Sequence, residues 1–328
     1  MIDSCRRLRQ HSHAVRTPSP LSTQIPDLVL ANPTAGGGLA QEVLPRLQRF
    51  AADKPWNVEF RSAQSCAEFT QIAQEEAAHG RLRIFALGGD GTFQVLLNAL
   101  AGNADVSIGV LPAGGGNDLA AALGLPRDPL RAAQVILERG EAVPLDAARV
   151  RTADGVERLY MGGGGVGLDA EAARFTSGVY RKIRGRSRYL LSAIRALWKF
   201  HPLGVRVSLE DSEQKYLEAR VLVLGVLNTP SYGGGLRLAP EACLDDGRLN
   251  LVVLEDLSLL EIARILPPLA IRGEIRTQRI RRYGITGARI ETDRPCLFHG
   301  DGEIIGQTPV EIAVVPQAMR VWRPRREF

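Results

Sequence analysis

The residues Gly88-Gly89-Asp90-Gly91-Thr92 follow directly on the apolar run Ile84-Phe85-Ala86-Leu87. Glycines at such a point let backbone N–H groups approach an anion closely, and a helix opening behind them adds the positive end of its dipole. Phe93, Leu96, Leu97 and Leu100 recur at helical spacing and predict that helix. Two loops of the same kind flank this one: Asn32-Pro33-Thr34-Ala35-Gly36-Gly37-Gly38, and Leu111-Pro112-Ala113-Gly114-Gly115-Gly116-Asn117-Asp118. One glycine loop reads equally well as a tight turn that lets a helix pack on a sheet. Three in order, each behind an apolar run, read as a surface for phosphate. Near the C-terminus, Asp301-Gly302-Glu303 places two carboxylates together; this is either a general-base site for a hydroxyl substrate or a hairpin tip with solvated acids. Asp246-Gly247, taken alone, is a turn. His299 is read as incidental, and Gly162 to Gly165 either line a cleft or allow close backbone packing.

The elements that must hold these loops are legible in outline. Apolar runs at Asp27–Ala31, Val58–Phe60, Leu82–Leu87 and Val106–Leu111 alternate with amphipathic stretches around Val43 to Phe50, Ala67 to His79, Phe93 to Leu100 and Leu119 to Leu123. This alternation predicts a parallel, doubly wound α/β sheet. The three glycine loops then lie at the carboxyl ends of strands, where open α/β sheets bind ligands. Beyond about residue 143 the pattern changes. Val205, Val207 and Leu209 alternate with polar residues, as do Val310, Ile312 and Val314, while 221–226 and 249–254 are continuous apolar runs. A mostly antiparallel β domain is expected, with helical insertions near Tyr189 to Trp198 and Ser258 to Leu266. The expected division is a basic disordered tail over 1–24, an α/β domain over 25–143 and a β-sandwich over 144–328, whose last residues return to the first domain.

Composition narrows the function class. A chain of 328 residues with 45% hydrophobic content can bury two cores. The net charge of +5 leans towards anionic partners such as nucleotides or phospholipid surfaces. Cys5, Cys66, Cys243 and Cys296 lie far apart without CxxC spacing, so a zinc site or a disulfide framework is not expected. Leu259 to Ile271 is the most apolar segment, but Glu261, Arg264 and Pro267-Pro268 interrupt it well short of the roughly 18 residues that span a bilayer. The first residues carry Arg6, Arg7, Arg9 and Arg16 without an apolar core, which argues against a secretory signal. A disordered extension, or a start codon placed too early, explains them better than a transit peptide. No GxxxxGK[ST] sequence and no protein-kinase signature set occurs.

Taken in order, the three loops resemble the bacterial lipid kinases of the diacylglycerol kinase catalytic superfamily, which also holds sphingosine and ceramide kinases. The likeness runs from about Leu28 to Pro324. Beyond the loops it rests on Gly165-Val166-Gly167-Leu168-Asp169-Ala170, on Asn228 with Gly233-Gly234-Gly235, and on Pro240-Glu241-Ala242, Asp245-Asp246-Gly247 and Asp301-Gly302-Glu303. The GGDGT element alone would be shared with NAD kinases. The resemblance implies an α/β nucleotide-binding domain and a β-sandwich with the active site between them. It implies ATP contacts at Asn32, Pro33, Thr34, Ala35 and Gly36, at Gly88, Gly89, Asp90, Gly91 and Thr92, and at Gly114, Gly115, Gly116, Asn117 and Asp118. It implies a structural Mg2+ at Asp246 with the carbonyls of Cys243 and Arg248, and Glu303 as general base with Asp301 beside it. Gly115, Ala121, Val95 and Gly162 depart from the family's usual Thr, Arg, Glu and Asn.

The expected activity is therefore transfer of the ATP γ-phosphate, with Mg2+, to a lipid hydroxyl, with diacylglycerol as the leading acceptor. Phosphatidylglycerol or a sphingoid or ceramide lipid are alternative acceptors, and NAD kinase activity or a non-catalytic nucleotide or lipid sensor are the rival readings. A cytoplasmic protein that touches an anionic membrane surface is expected, with no nucleic-acid partner; a homodimer stays open. Arg181, Lys182, Arg184, Arg186 and Arg188, and Arg272, Arg276, Arg279, Arg281 and Arg282, are read as solvated faces or as membrane-docking stretches. At a bilayer each such charge is worth about 1 kcal/mol. Trp198, Phe200 and Trp322 are candidates for interfacial insertion or for core packing.

Overall fold

The computed structural model describes residues 25–177, 201–258 and 277–325, with isolated positions (192, 195–196, 260–262, 264–265 and 273) between them. The basic tail, Arg181 to Arg188, Arg272, Arg276, Trp198, Phe200 and most of the insertion near 189–198 lie outside the described residues.

The chain begins as a doubly wound unit. Strands β1 (Asp27–Ala31), β2 (Val58–Ser62), β3 (Arg83–Gly88) and β4 (Ser107–Pro112) pair in parallel in the order β2-β1-β3-β4. Helices α1 (Leu39–Ala52) and α5 (Pro129–Arg139) pack together, as do α2 (Cys66–Ala78) and α3 (Asp90–Leu100). With helices packed against both faces, β1, β3 and β4 are buried almost throughout, which is why they read as unbroken apolar runs. Helix α2 starts on a reciprocal cap. Ser65 Oγ accepts from Glu68 N–H at 3.1 Å, and Gln64 N–H donates to the Glu68 carboxylate at 2.6 Å.

A short helix α4 (Asp118–Ala122) precedes α5, and β5 (Gly140–Thr152) leads into the antiparallel part. That part contains β6 (Glu157–Tyr160), β7 (Gly163–Gly167), helix α6 (Leu168–Ser177), β8 (Leu203–Glu210), β9 (Tyr216–Leu227), β10 (Leu249–Glu255), β11 (Ile280–Ile285), β12 (Gly287–Thr292), β13 (Leu297–Gly300), β14 (Glu303–Gln307) and β15 (Val310–Pro324). Its pairing runs β14-β13-β7-β9-β8-β12-β15, with β10 and β11 beside β9 and β5 and β6 beside β15. Val205, Val207, Val221, Leu224, Leu251 and Ile290 fill a second core, separate from that of the α/β unit. The alternating burial of β8 is the half-buried pattern its sequence predicts.

Strand β15 crosses from one core to the other. Its first half pairs with β12, and its last residues pair in parallel with β4, Arg320 opposite Ser107 and Val321 opposite Ile108. The register slips between Val315 and Met319. There the Gln317 N–H, at φ 51°, donates to the buried Asp146 carboxylate at 2.8 Å. Trp322 then packs against Phe85 with centroids 6.1 Å apart, and its Nε1–H donates to Ser107 Oγ at 2.9 Å. Of the two readings of Trp322, core packing is the one its contacts support.

Candidate active site

The three glycine loops meet at the carboxyl ends of β1, β3 and β4. Gly36, at φ 62°, lies so close to the Ala113 carbonyl that a Cβ there would collide with it. A Cβ on Gly89 would lie 2.8 Å from Gly114 Cα, so the second and third loops touch backbone to backbone. Asn32 joins the first loop to the second, its Nδ2 donating to Thr92 Oγ1 at 3.1 Å, while its Oδ1 accepts from Thr34 N–H and O–H at 3.2 and 2.9 Å. Thr92 is thus buried beneath the loops. Asn117 staples the third loop: its Oδ1 accepts from Gly114 N–H at 2.9 Å and its Nδ2 donates to Gly114 O at 3.0 Å. Gly115 and Gly116 remain half-exposed above that staple, with Pro33 and Ala35 half-exposed on the first loop.

Asp90 opens α3 and turns its carboxylate to the start of α4, where Asp118 N–H and Leu119 N–H donate to it at 3.3 and 3.1 Å. Burial, and then the charges of Asp118 and Asp301, push its carboxyl up to about 7, against an ordinary value of 3.8. Asp118 reaches across to the antiparallel half. Its Oδ1 accepts from Ser231 O–H at 3.0 Å and its Oδ2 from Gly234 N–H at 2.6 Å.

Asp301 and Gly302, at φ 49° and 87°, form the two-residue turn between β13 and β14. The Asp-Gly pair suits this turn because both positions need positive φ. Asp301 is no solvated acid. Its carboxylate accepts from Met161, Gly162 and Gly163 N–H at 3.0, 2.9 and 3.1 Å. Burial still outweighs those donors and raises it to about 6. Glu303, at the start of β14, leaves the strand towards the GGDGT element: a Cβ on Gly91 would lie 3.1 Å from Glu303 Oε1. It keeps exposed surface, yet the protein around its carboxylate removes enough water to raise its pKa. Gln94 in α3 fixes the same hairpin, donating to Gly300 O at 3.1 Å.

The turn at Cys243 to Arg248 lies apart from these loops. Asp246 Oδ1 accepts from Arg248 N–H at 3.0 Å, and Gly247 N–H donates to Asp146 at 2.7 Å. Arg248 directs its guanidinium to Asp211 Oδ2 at 2.9 Å, so only its main chain faces the turn's own acids. Burial, Asp146 and Asp245 raise the Asp246 carboxyl, and among the described residues no cationic side chain offsets them. Such a crowd of acids fits a cation. Among the described residues no three His, Cys, Asp or Glu side chains converge on one metal position, so a cation at Asp246 needs main-chain carbonyls as well. The charges of Asp118 and Asp301 acting on Asp90 favour a cation beside Asp90 in the same way.

Sequence reasoning passed over several residues here. Tyr232, Ser231 and Asp146 lie outside every motif; their only signals are a tyrosine beside a glycine run and an acid inside an apolar strand. His299 is fully buried and hydrogen-bonded to Tyr232 and Asp169, which the reading as incidental does not anticipate. Of the second basic stretch, Arg279 and Arg281 pair with Glu255 at 3.8 and 2.7 Å, and Arg282 donates to Leu238 O at 2.6 Å. Among the described residues no helix is long and apolar enough to cross a membrane.

The diacylglycerol kinase catalytic domain family matches residues 26–150, and the YegS C-terminal NAD kinase beta sandwich-like domain family matches residues 164–323. A diacylglycerol kinase of Mycobacterium tuberculosis is 28% identical over 301 residues, 90% of this chain and 94% of that protein. A probable lipid kinase, YegS-like, of Xanthomonas euvesicatoria is 32% identical over 260 residues, 76% of this chain and 81% of that protein. The fold is similar to that of a Bacillus anthracis diacylglycerol kinase, with a TM-score of 0.66 and 20% identity over 92% of this chain and 97% of that one. The chain belongs to the bacterial diacylglycerol kinase-like lipid kinase family.

Proposed function

We propose that this lipid kinase transfers the γ-phosphate of ATP, with Mg2+, to the free hydroxyl of diacylglycerol, forming phosphatidic acid. The observation that carries the reading is the approach of Glu303 to Gly91, which brings a carboxylate from the antiparallel half onto the first turn of the GGDGT helix. Phosphoryl transfer needs donors for the phosphates, a hydroxyl held in line, and an acceptor for its proton. Main-chain N–H groups of the loops at Gly36, Gly89 to Gly91, Gly115 and Gly116 supply the donors. Asn32 and Asn117 keep those loops in place, and Glu303 takes the hydroxyl proton. Its raised pKa brings it closer to the range in which a base works well near neutral pH.

Asp90 and Asp118 are the residues that would hold Mg2+ beside the phosphates, and Asp246 with the carbonyls of Cys243 and Arg248 would hold a second, structural ion. When bound, Mg2+ neutralises charge on the phosphate oxygens. Asp301 acts by holding the hairpin, since three backbone donors occupy its carboxylate. Docking on an anionic membrane surface completes the reading and is supported by the chain's net charge of +5.

The test is incubation with γ-labelled ATP–Mg and a total membrane lipid extract, with Glu303→Gln as the control. Label in phosphatidic acid from the wild type alone supports the assignment. Label in a different lipid replaces diacylglycerol as the acceptor, and no labelled lipid from folded protein contradicts the proposal.

A further inference from the structure

The four glycines before β7 and in its first half, Gly162 to Gly165, each face an atom that leaves no room for a side chain. A Cβ on Gly162 would lie 2.7 Å from Asp301 Oδ1; one on Gly163 would collide with Leu227 Cδ2 and lie 3.1 Å from the Tyr232 ring; one on Gly165 would lie 2.5 Å from the Leu224 carbonyl oxygen and 2.8 Å from Asp169 Oδ2. At Gly164 the colliding atom is the carbonyl of His299. Gly163 and Gly165 thus pack against Tyr232 and Asp169 as well as against β9. Tyr232 and Asp169 join His299 in one bonded group. His299 Nε2 lies 2.5 Å from the Tyr232 hydroxyl and 3.2 Å from Asp169 Oδ2, and that hydroxyl lies 3.4 Å from the same carboxylate oxygen. The His299 and Tyr232 rings also stack, with centroids 5.5 Å apart.

The bonding fixes the imidazole. Two oxygens share Nε2, and because a carboxylate only accepts, Nε2 is assigned as the donor towards Asp169. The Nδ1 atom is buried and has no partner among the described residues. That arrangement is costly for a residue that only fills space, since an apolar side chain of similar size leaves no polar atom stranded.

We infer that His299, held by Asp169 and Tyr232, is a positioning residue for Glu303. His299 lies on β13, two residues before Asp301 and four before Glu303, so the pair of bonds at Nε2 sets where the hairpin stands against Gly91. Tyr232 belongs to the segment in which Ser231 and Gly234 bond to Asp118. The network thereby ties the hairpin bearing Glu303 to a segment anchored on the α/β half. This inference rests on Glu303 as the base.

The test compares Tyr232→Phe, His299→Gln, His299→Leu, Glu303→Gln and the double variant Tyr232→Phe/Glu303→Gln, measuring kcat, KM for ATP and melting temperature for each. Misplacing a reacting group by 1 Å costs about 100-fold, so the smaller shift from losing one hydroxyl is expected to lower kcat roughly 5- to 20-fold. The KM for ATP is expected to stay within about threefold, because the loops that bind nucleotide are untouched. His299→Gln keeps an N–H near the Nε2 position and should retain several times the kcat of His299→Leu. The double variant should be no slower than Glu303→Gln alone. Wild-type kcat in both Tyr232→Phe and His299→Gln overturns the inference, as does strict additivity in the double variant. A fully active Glu303→Gln instead overturns the base assignment on which the inference stands.

Discussion

Replacing Gly91 by alanine separates the stability of the GGDGT helix from the use made of it. Gly91 lies in the first turn of α3 and has no positive φ, so alanine fits its backbone. Alanine is favoured over glycine in a helix by up to about 1 kcal/mol, and somewhat less in the first turn. The melting temperature is expected to rise by about 1–3 °C. The new methyl group would lie 3.1 Å from Glu303 Oε1, 3.5 Å from its Cγ and 3.8 Å from its Cδ. The first distance is tighter than ordinary contact, so the carboxylate must retreat by a few tenths of an ångström. Scaled from the cost of about 100-fold per ångström, that retreat lowers kcat roughly 3- to 10-fold. The loop keeps every main-chain N–H, so the KM for ATP should change little. Thermal unfolding and steady-state kinetics with saturating lipid measure both effects. A more stable variant with undiminished kcat would refute the claim that Glu303 works from its place against Gly91.

Three further outcomes follow from the same geometry. Asp90 and Asp301 titrate near 7 and 6 in the folded protein against an ordinary 3.8; raised carboxyl values mean that the folded state holds these protons more tightly. Their stabilising contribution is complete below about pH 3.8 and is lost as pH rises through 6 to 7. The increase in melting temperature on adding Mg2+ in place of EDTA should therefore be larger at pH 8 than at pH 5, and Asp90→Asn should shrink that difference; equal shifts at both values count against a cation at these acids. Asp246→Asn, away from the loops, should lower the melting temperature in Mg2+ and reduce, without abolishing, its sensitivity to EDTA, as followed by calorimetry; full retention of stability and activity removes the structural ion from the account. Gly114→Ala drives a Cβ into the Gly89 backbone and should weaken nucleotide binding at least 10-fold by titration calorimetry, whereas near-normal affinity means that the loops have room to part.

Much of the α/β half is legible because its strands and loops obey local rules. The runs before Gly88 and Gly114 are buried on both faces, so their apolar character is unbroken and the glycines that end them stand out. Helix α5 obeys the same rules. Asp128 caps it, Pro129 opens it, and Pro129, Ala132, Ala133 and Ile136 recur at helical spacing, so its signals are local although the alternation set out above does not include it. Strand β7 escapes any propensity argument, since glycine disfavours strands; its glycines are needed because Leu227, the His299 carbonyl and the Leu224 carbonyl occupy the space where side chains at Gly163, Gly164 and Gly165 would be. The roles of His299 and Tyr232 depend on partners 130 and 67 positions away from the imidazole. No local pattern encodes such pairings. The carboxylate of Asp301 illustrates the same point. Its place in an Asp-Gly turn is local, whereas its three donors lie about 140 residues earlier.

The most direct test of the central claim is phosphate transfer from γ-labelled ATP–Mg to diacylglycerol in mixed micelles by wild type and Glu303→Gln, with nucleotide binding measured on the same preparations. Loss of a general base costs about 100- to 10,000-fold in rate, so labelled phosphatidic acid should fall by that factor while nucleotide affinity stays within a few-fold. Transfer by Glu303→Gln at the wild-type rate, or a loss of rate matched by an equal loss of nucleotide binding, contradicts the assignment of Glu303 as the base.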